Sequence, residues 1–370
     1  MSGSSPVGLF TRKILPSDPV SEKAVAAVNG QDTPSDRLKP KASYYKRYRI
    51  LGVFGGGGFG DVYLAVQEQE HTSKYVAIKV LNQKNRNSEE EICGLQREAE
   101  VMGSLHHRLF PTLIDLTYFC DQWALIMEWI PGISLREACR FAGHVPLSVA
   151  LEIVADLANG IRALHERGKV FGGPAAHCDI KPGNIRIGPF GSVRLVDLGS
   201  TRCWGKHRTA STYPYCAPEL RSGYVRPAVD VFSLGVVLLA MLTRLPDEGV
   251  QTKDTAGHYL ESHLQRFPYG TDREVIALVR RMLDSHSGDR PCARDVEVAC
   301  RRMRRWIDGP CVAEWVPEAL AQAGTVAEAG ALTGMEVTVP GPIAMVETEV
   351  EDLRIPAVHQ PFYAPKWAPE

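Results

Sequence analysis

The stretch His177 to Gly199 reads HCDIKPGNIRIGPFGSVRLVDLG, and it decides the fold. Ile185 and Ile187, then Val193, Leu195 and Val196, alternate with polar residues on either side of Gly191. That pattern is strand, turn, strand, a hairpin that holds its two ends rigidly. Acidic and amide residues stand at both ends: Asp179 and Asn184 before the hairpin, Asp197 after it. A divalent hard cation such as Mg²⁺ prefers oxygen donors and keeps several of its waters, so one amide plus one carboxylate is a fitting protein share. The further carboxylate, Asp179, with Lys181 two residues on, suits a base beside a cation that steadies phosphoryl oxygens.

The order Asp-x-Lys-Pro-x-x-Asn followed by Asp-Leu-Gly resembles the catalytic loop and metal-binding triplet of the protein kinases. The resemblance implies that Asp179 is the catalytic base, that Lys181 contacts the transferring phosphate, and that Asn184 and Asp197 hold magnesium. Lys181-Pro182 is similar to the serine/threonine branch of that family. The stretch Thr212-x-x-Tyr215 resembles its substrate loop, with Thr212 bridging Asp179 and Lys181. The resemblance further implies that Asp230 anchors the catalytic-loop backbone, that Glu219 pairs with Arg290, and that His177 is a packing residue.

Upstream, the chain supplies the other parts that such a site needs. Gly55-x-Gly57-x-x-Gly60-x-Val62 lies between two apolar, strand-like runs. It lacks the Gly-Lys-Ser/Thr ending of a P-loop and opens no helix, which makes a dinucleotide-binding turn a poor reading. It is similar to the kinase loop whose backbone N–H groups close over ATP phosphates. Val76-Ala77-Ile78-Lys79 reads as a strand ending in one charge. The resemblance implies that Val62 and Ala77 pack on adenine and that Lys79 meets the α and β phosphates. Ile92, Leu95, Ala99, Met102 and Leu105 recur at helical spacing, with Ser88 and Glu91 as a capping box. Glu98 on that helix is implied as the partner of Lys79, and Glu91 and Glu100 as solvated. Met127 to Ile130 resembles the hinge, where the backbone of Glu128 and Ile130 would bind adenine. A further amphipathic helix is expected over Leu147 to Arg167.

Three places depart from the family pattern. Phe171 to Ala176 is an insertion before His177, expected either to bulge outward or to displace the loop. Cys178 replaces the arginine that usually binds an activation-loop phosphate, a bidentate task no thiol performs. The expectation is a buried, inert thiol and an enzyme not switched by ordinary activation-loop phosphorylation, with a redox role as the alternative. Arg186 stands where an apolar residue commonly underlies adenine, so it either stacks flat on the base or turns to solvent.

The chain has 370 residues, 44% hydrophobic and 23% charged, with a formal charge of −1, a profile that gives no support for general nucleic-acid or membrane binding. Nine cysteines without a Cys-x-x-Cys pair point to reduced thiols and a cytoplasmic location. The longest apolar run, Leu234 to Leu242, is too short to span a bilayer. Composition sets off a Ser/Pro/Lys-rich tail over 1–42 and an Ala/Pro/Glu-rich tail over 308–370. Both are expected to be mostly disordered, with one short helix around Val312 to Ala323 and docking as their implied use.

The expected architecture is α+β: a bilobal kinase domain over 43–307, with a five-stranded small lobe at 48–130 and a mostly helical lobe at 131–307. The implied reaction is transfer of the ATP γ-phosphoryl group, with Mg²⁺, to a Ser or Thr of a protein substrate. The alternative is a pseudokinase scaffold that regulates a partner. Against it stands the retention of Lys79, Glu98, Asp179, Lys181, Asn184 and Asp197 together.

Overall fold

The computed structural model describes residues 45–56, 60–68, 72–82, 84–119, 122–142, 145–166, 174–206, 212, 214–243, 271–328 and 353–356. The chain divides into two compact units. One takes Met1–Ile92, Ile114–Trp129 and Met345–Glu370; the other takes Cys93–Leu113 and Ile130–Ala344.

The first unit is an antiparallel sheet. Its strands are β1 (Tyr45–Gly56), β2 (Gly60–Glu68), β3 (Ser73–Leu81), β4 (Leu113–Phe119) and β5 (Gln122–Glu128). They lie in the order β1-β2-β3-β5-β4. Alternation sorts the side chains onto two faces. Tyr63, Ala65, Val76, Ile78, Val80, Ala124 and Ile126 form a core with Tyr48, and each valine or isoleucine among them contributes about 1.5–3 kcal/mol on burial. The register places Val62 opposite Lys79 and Leu64 opposite Ala77, then Lys79 opposite Leu125 and Ala77 opposite Met127. The opposite face therefore carries the residues the sequence singled out for a nucleotide. Gly60 opens β2 so close to β3 that a Cβ there would strike the Val80 carbonyl oxygen. The five expected strands are all present, and a sixth joins them: Leu353–Pro356 pairs antiparallel with Tyr45–Tyr48 at the β1 edge.

The second unit is mostly helical. The helix α1 (Glu89–Ser104) begins in the first unit and buries Leu95, Glu98, Ala99, Val101 and Met102. At its start the Ser88 hydroxyl accepts from the Glu91 N–H at 3.4 Å. Next come β6 (Ile133–Ser134), α2 (Leu135–Phe141) and α3 (Leu147–Glu166). Ser134 and Glu137 form a reciprocal capping box that starts α2. Short ladders follow: β7 (Ala175–Ala176), β8 (Ile185–Ile187), β9 (Val193–Leu195), β10 (Arg202–Cys203) and β11 (Gly205–Lys206). The unit closes with α4 (Pro218–Arg221), β12 (Tyr224–Val225), α5 (Ala228–Thr243), α6 (Thr271–Met282), α7 (Ala293–Arg304) and α8 (Val312–Glu328).

Helix α5 is apolar on all sides and buried along nearly its whole length, which makes it the axis of this unit. The tail helix expected near Val312 to Ala323 is α8, and it runs on to Glu328. Among the described residues no helix is long and apolar enough to cross a membrane. The tail over 1–42 lies outside the described residues.

Candidate active site

Helix α5 presents Asp230, fully buried, to the loop before β8. Its Oδ2 accepts from the His177 N–H at 2.8 Å, and its Oδ1 from the Cys178 N–H at 2.9 Å. His165 Nε2, at 2.9 Å from Oδ2, carries the proton of that contact, since a carboxylate only accepts. These bonds hold a strained backbone: Cys178 has φ +67°, a region costing a side-chain-bearing residue on the order of 1–3 kcal/mol. The strained turn aims the next residue, Asp179. The Asp179 N–H donates to His177 Nδ1 at 3.3 Å, and His177 is wholly buried, in agreement with its reading as a packing residue.

The Asp179 carboxylate is the hub of a small network. Oδ2 accepts from Lys181 Nζ at 2.7 Å and from Asn184 Nδ2 at 3.0 Å. Oδ1 accepts from Thr212 Oγ1 at 2.8 Å, and Lys181 Nζ also donates to that hydroxyl at 2.8 Å. Thr212 therefore bridges Asp179 and Lys181, as the resemblance to the kinase substrate loop implied. Asn184 Nδ2 donates in addition to the Asp179 carbonyl at 2.9 Å. With the amide nitrogen engaged twice, the Oδ1 of Asn184 is the atom left to meet a cation.

The hairpin β8–β9 pairs Ile185 with Leu195, and the Val196 N–H donates to the Asn184 carbonyl at 2.9 Å. Asn184 and the residue after Val196, Asp197, thus meet at one end of the hairpin, with Asp197 in the left-handed region at φ +67°. One amide oxygen and one carboxylate at a partly open position suit a hard cation that keeps most of its waters, so the donor set fits magnesium. Nearby, Arg290 is buried, and its guanidinium reaches Glu219 at 2.6 and 2.9 Å. This is the expected pair.

The three departures resolve as follows. Of the insertion, Phe171 to Gly173 lies outside the described residues. The rest does not bulge: β7 pairs with β10, Ala175 and Ala176 are buried, and the Trp204 N–H donates to the Pro174 carbonyl at 2.7 Å. Cys178 is buried and its thiol donates to the Ala176 carbonyl at 3.4 Å. Burial, then the charge of Asp230, push that thiol well above its ordinary value. Burial likewise pushes Cys300 up to about 12. A raised thiol stays protonated and unreactive at pH 8. Iodoacetamide on the native protein at that pH is expected to label the exposed Cys93 and Cys292 and to spare Cys178 and Cys300. Mass-spectrometric detection of early Cys178 labelling would contradict this.

Arg186 does not turn to solvent. It is buried on β8 and donates through Nη2 to the Gly132 carbonyl. Burial pulls its pKa down while the charge of Glu137 opposes that pull. The turn it fastens is tight, with Gly132 at φ +111° and no room for a Cβ against the Ile187 carbonyl. Arg186→Leu removes the donor from a half-buried carbonyl and a bonded side chain from the core, at a cost of about 1 kcal/mol. Urea unfolding is expected to show it; an unchanged midpoint would mean that the bond contributes nothing net.

Of the residues read as nucleotide-binding, Gly55 ends β1 opposite Val62. Lys79 is half-buried on β3, and Glu128 ends β5. Ile130 is buried, and Gly57 lies outside the described residues. Glu98 is the buried glutamate of α1, whereas Glu100 is exposed, which separates the two as expected. His165 was not legible beforehand. It ends an ordinary amphipathic helix, and its partner stands 65 residues on.

The description "protein kinase domain" matches residues 48–298. Among curated proteins, the chain is 33% identical over 224 residues to the serine/threonine-protein kinase PrkC of Bacillus subtilis, covering 58% of this chain and 33% of that one. It is 29% identical over 268 residues to the serine/threonine-protein kinase pkn2 of Myxococcus xanthus, covering 66% and 31%. It is 30% identical over 213 residues to the serine/threonine-protein kinase PknB of Mycobacterium leprae, covering 54% and 33%. The matches span about a third of the length of these relatives.

Proposed function

This chain belongs to the protein kinase domain family, and on that premise we propose that it is a serine/threonine kinase acting on proteins in the cytoplasm. One observation carries the reading: Lys181 and Thr212 both converge on the Asp179 carboxylate beside Asn184. The hydroxyl of Thr212 occupies a position that a substrate hydroxyl can share, between a base and a cation. The names of the relatives and the Lys181-Pro182 pair support Ser/Thr as the acceptor.

In the proposed step, the acceptor oxygen forms a bond to the γ-phosphorus of ATP and the bond to the β-phosphate oxygen breaks, releasing ADP. The hydroxyl proton goes to Asp179, and Lys181 offsets charge on the transferring group. Asn184 and Asp197 would hold magnesium, which supplies charge neutralisation at the phosphates. Family membership assigns Lys79 to the α and β phosphates and Glu98 to holding that lysine. Phosphorylation of the activation segment is not the switch by the usual route, because Cys178 offers a phosphate no bidentate donor.

The test is transfer of radiolabel from ATP to a generic acceptor protein and to the chain itself. Wild type is expected to label Ser and Thr, Asp197→Ala to give none, and Lys79→Ala to fall by roughly 10²–10³. No label from wild type, with ATP still bound, would replace this reading by the scaffold one.

A further inference from the structure

The segment from Leu198 to Val229 carries Arg202, Lys206, Arg208, Arg221 and Arg226, and Glu219 is its one acidic residue. In the chain as a whole Lys and Arg balance Asp and Glu, 42 against 43. Glu219 is itself paired with buried Arg290. The segment that brings Thr212 to the base is therefore locally cationic.

Two ladders give the described part of this segment a fixed surface. Ladder β7–β10 ties Arg202 and Cys203 to the strand that leads into His177. Beyond it, β11 pairs with β12, Gly205 opposite Val225 and Lys206 opposite Tyr224. Val225 is buried and pins the second ladder down. What the ladders leave outside is unusual for a solvated surface: Trp204 is 55% exposed and Tyr224 48% exposed. Arg226, also exposed, holds its guanidinium 5.9 Å from the Trp204 ring centroid. Neither fold nor phosphoryl transfer uses these three side chains. Exposed aromatics beside a cationic side chain are a recurrent mark of a recognition surface.

We propose that Trp204, Tyr224 and Arg226 form a docking surface for the protein substrate, selecting acceptor segments that carry Asp or Glu beside the Ser or Thr. This rests on the kinase reading and deepens it. The charge of the patch names its partner: a carboxylate faces Arg226, and an apolar residue beside it covers the Trp204 and Tyr224 rings. Trp204 directly follows the strand paired with the one that enters the Asp179 loop, and Thr212, eight residues on, bonds to Asp179.

The experiment uses the full chain with ATP and Mg²⁺ and two acceptor peptides of equal length. One has a serine flanked by glutamates and a phenylalanine; the other has each glutamate replaced by glutamine. An exposed ion pair to Arg226 is individually weak, so kcat/KM is expected to favour the acidic peptide roughly threefold at low salt. The preference should shrink as salt is raised. In Arg226→Glu it should disappear or reverse, and Trp204→Ala should raise KM for the acidic peptide. Equal kcat/KM for the two peptides, or a preference that survives Arg226→Glu, overturns the inference while leaving the kinase reading intact. Transfer to neither peptide overturns both. Binding of phosphatidylserine vesicles or single-stranded DNA where the acidic peptide does not bind would show a different polyanion as the occupant and overturn it as well.

Discussion

Asp179→Asn is expected to lower phosphoryl transfer by roughly 10²–10⁴-fold, the usual contribution of a positioned general base. The substitution is nearly isosteric, so the contacts of Oδ1 with Thr212 and of Oδ2 with Lys181 keep their spacing. What is lost is the negative charge and the ability to take a proton. Lys181 then faces an amide, and the geometry remains while the chemistry stops. The fold should survive, because Asp230, and not Asp179, holds the loop backbone. The measurement is steady-state transfer to a peptide, with thermal unfolding run alongside. A variant that keeps more than about a tenth of wild-type kcat with its fold intact would show that Asp179 is not the base. A variant that loses its fold would show that the carboxylate is structural.

The second large effect concerns stability. Arg290 is buried under α4 and α5, where it donates to both oxygens of Glu219 and to the Ala228 carbonyl at 3.0 Å, while its guanidinium carbon lies 5.0 Å from the Phe232 ring centroid. Removing Arg290 leaves the half-buried Glu219 carboxylate and the Ala228 and Asp284 carbonyls without their donor, which costs about 2–3 kcal/mol. Arg290→Met is expected to lower unfolding free energy by that amount, as read from denaturant titration. The pair's own worth is a separate question, because two desolvated charges repay each other only in part. Glu219→Leu combined with Arg290→Met should recover a good share of the loss. If the double variant is as unstable as the sum of the single ones, the penalty comes from packing around Phe232 rather than from charge.

Much of this arrangement was legible in the sequence because its parts are short-range or strongly typed. Asp179, Lys181, Asn184 and Asp197 flank one short hairpin within nineteen residues, so their types and order were readable together even though Asp230 is needed to aim Asp179. The bridge by Thr212 and the pair of Glu219 with Arg290 are long-range, and there the resemblance to known kinases supplied what local patterning does not. The destination of Arg186 was not legible. Which of solvent, a base or a carbonyl meets a guanidinium depends on a turn 54 residues earlier, and Gly132 offers its carbonyl only because its backbone adopts a positive φ. Ladder β7–β10 was equally hidden. Two alanines carry no strand signal, and they pair only because their partners arrive 26 and 28 residues later. The sheet was read with five strands because a four-residue strand deep in a Pro- and Glu-rich tail gives too little alternation to register.

The reach of Asp230 also has a bearing on how the molecule comes into being. The backbone it clamps lies 52 and 53 residues earlier in the chain, and His165 a further turn of chain before that. The positive φ of Cys178 has no local support, so the loop has no reason to adopt it until α5 has formed and docked. A nascent chain that has emerged only as far as the hairpin would already contain Asp179, Asn184 and Asp197, yet hold none of them in working order. Competence is thus delayed until synthesis has passed the loop by a long interval, and a partly made chain is silent by construction.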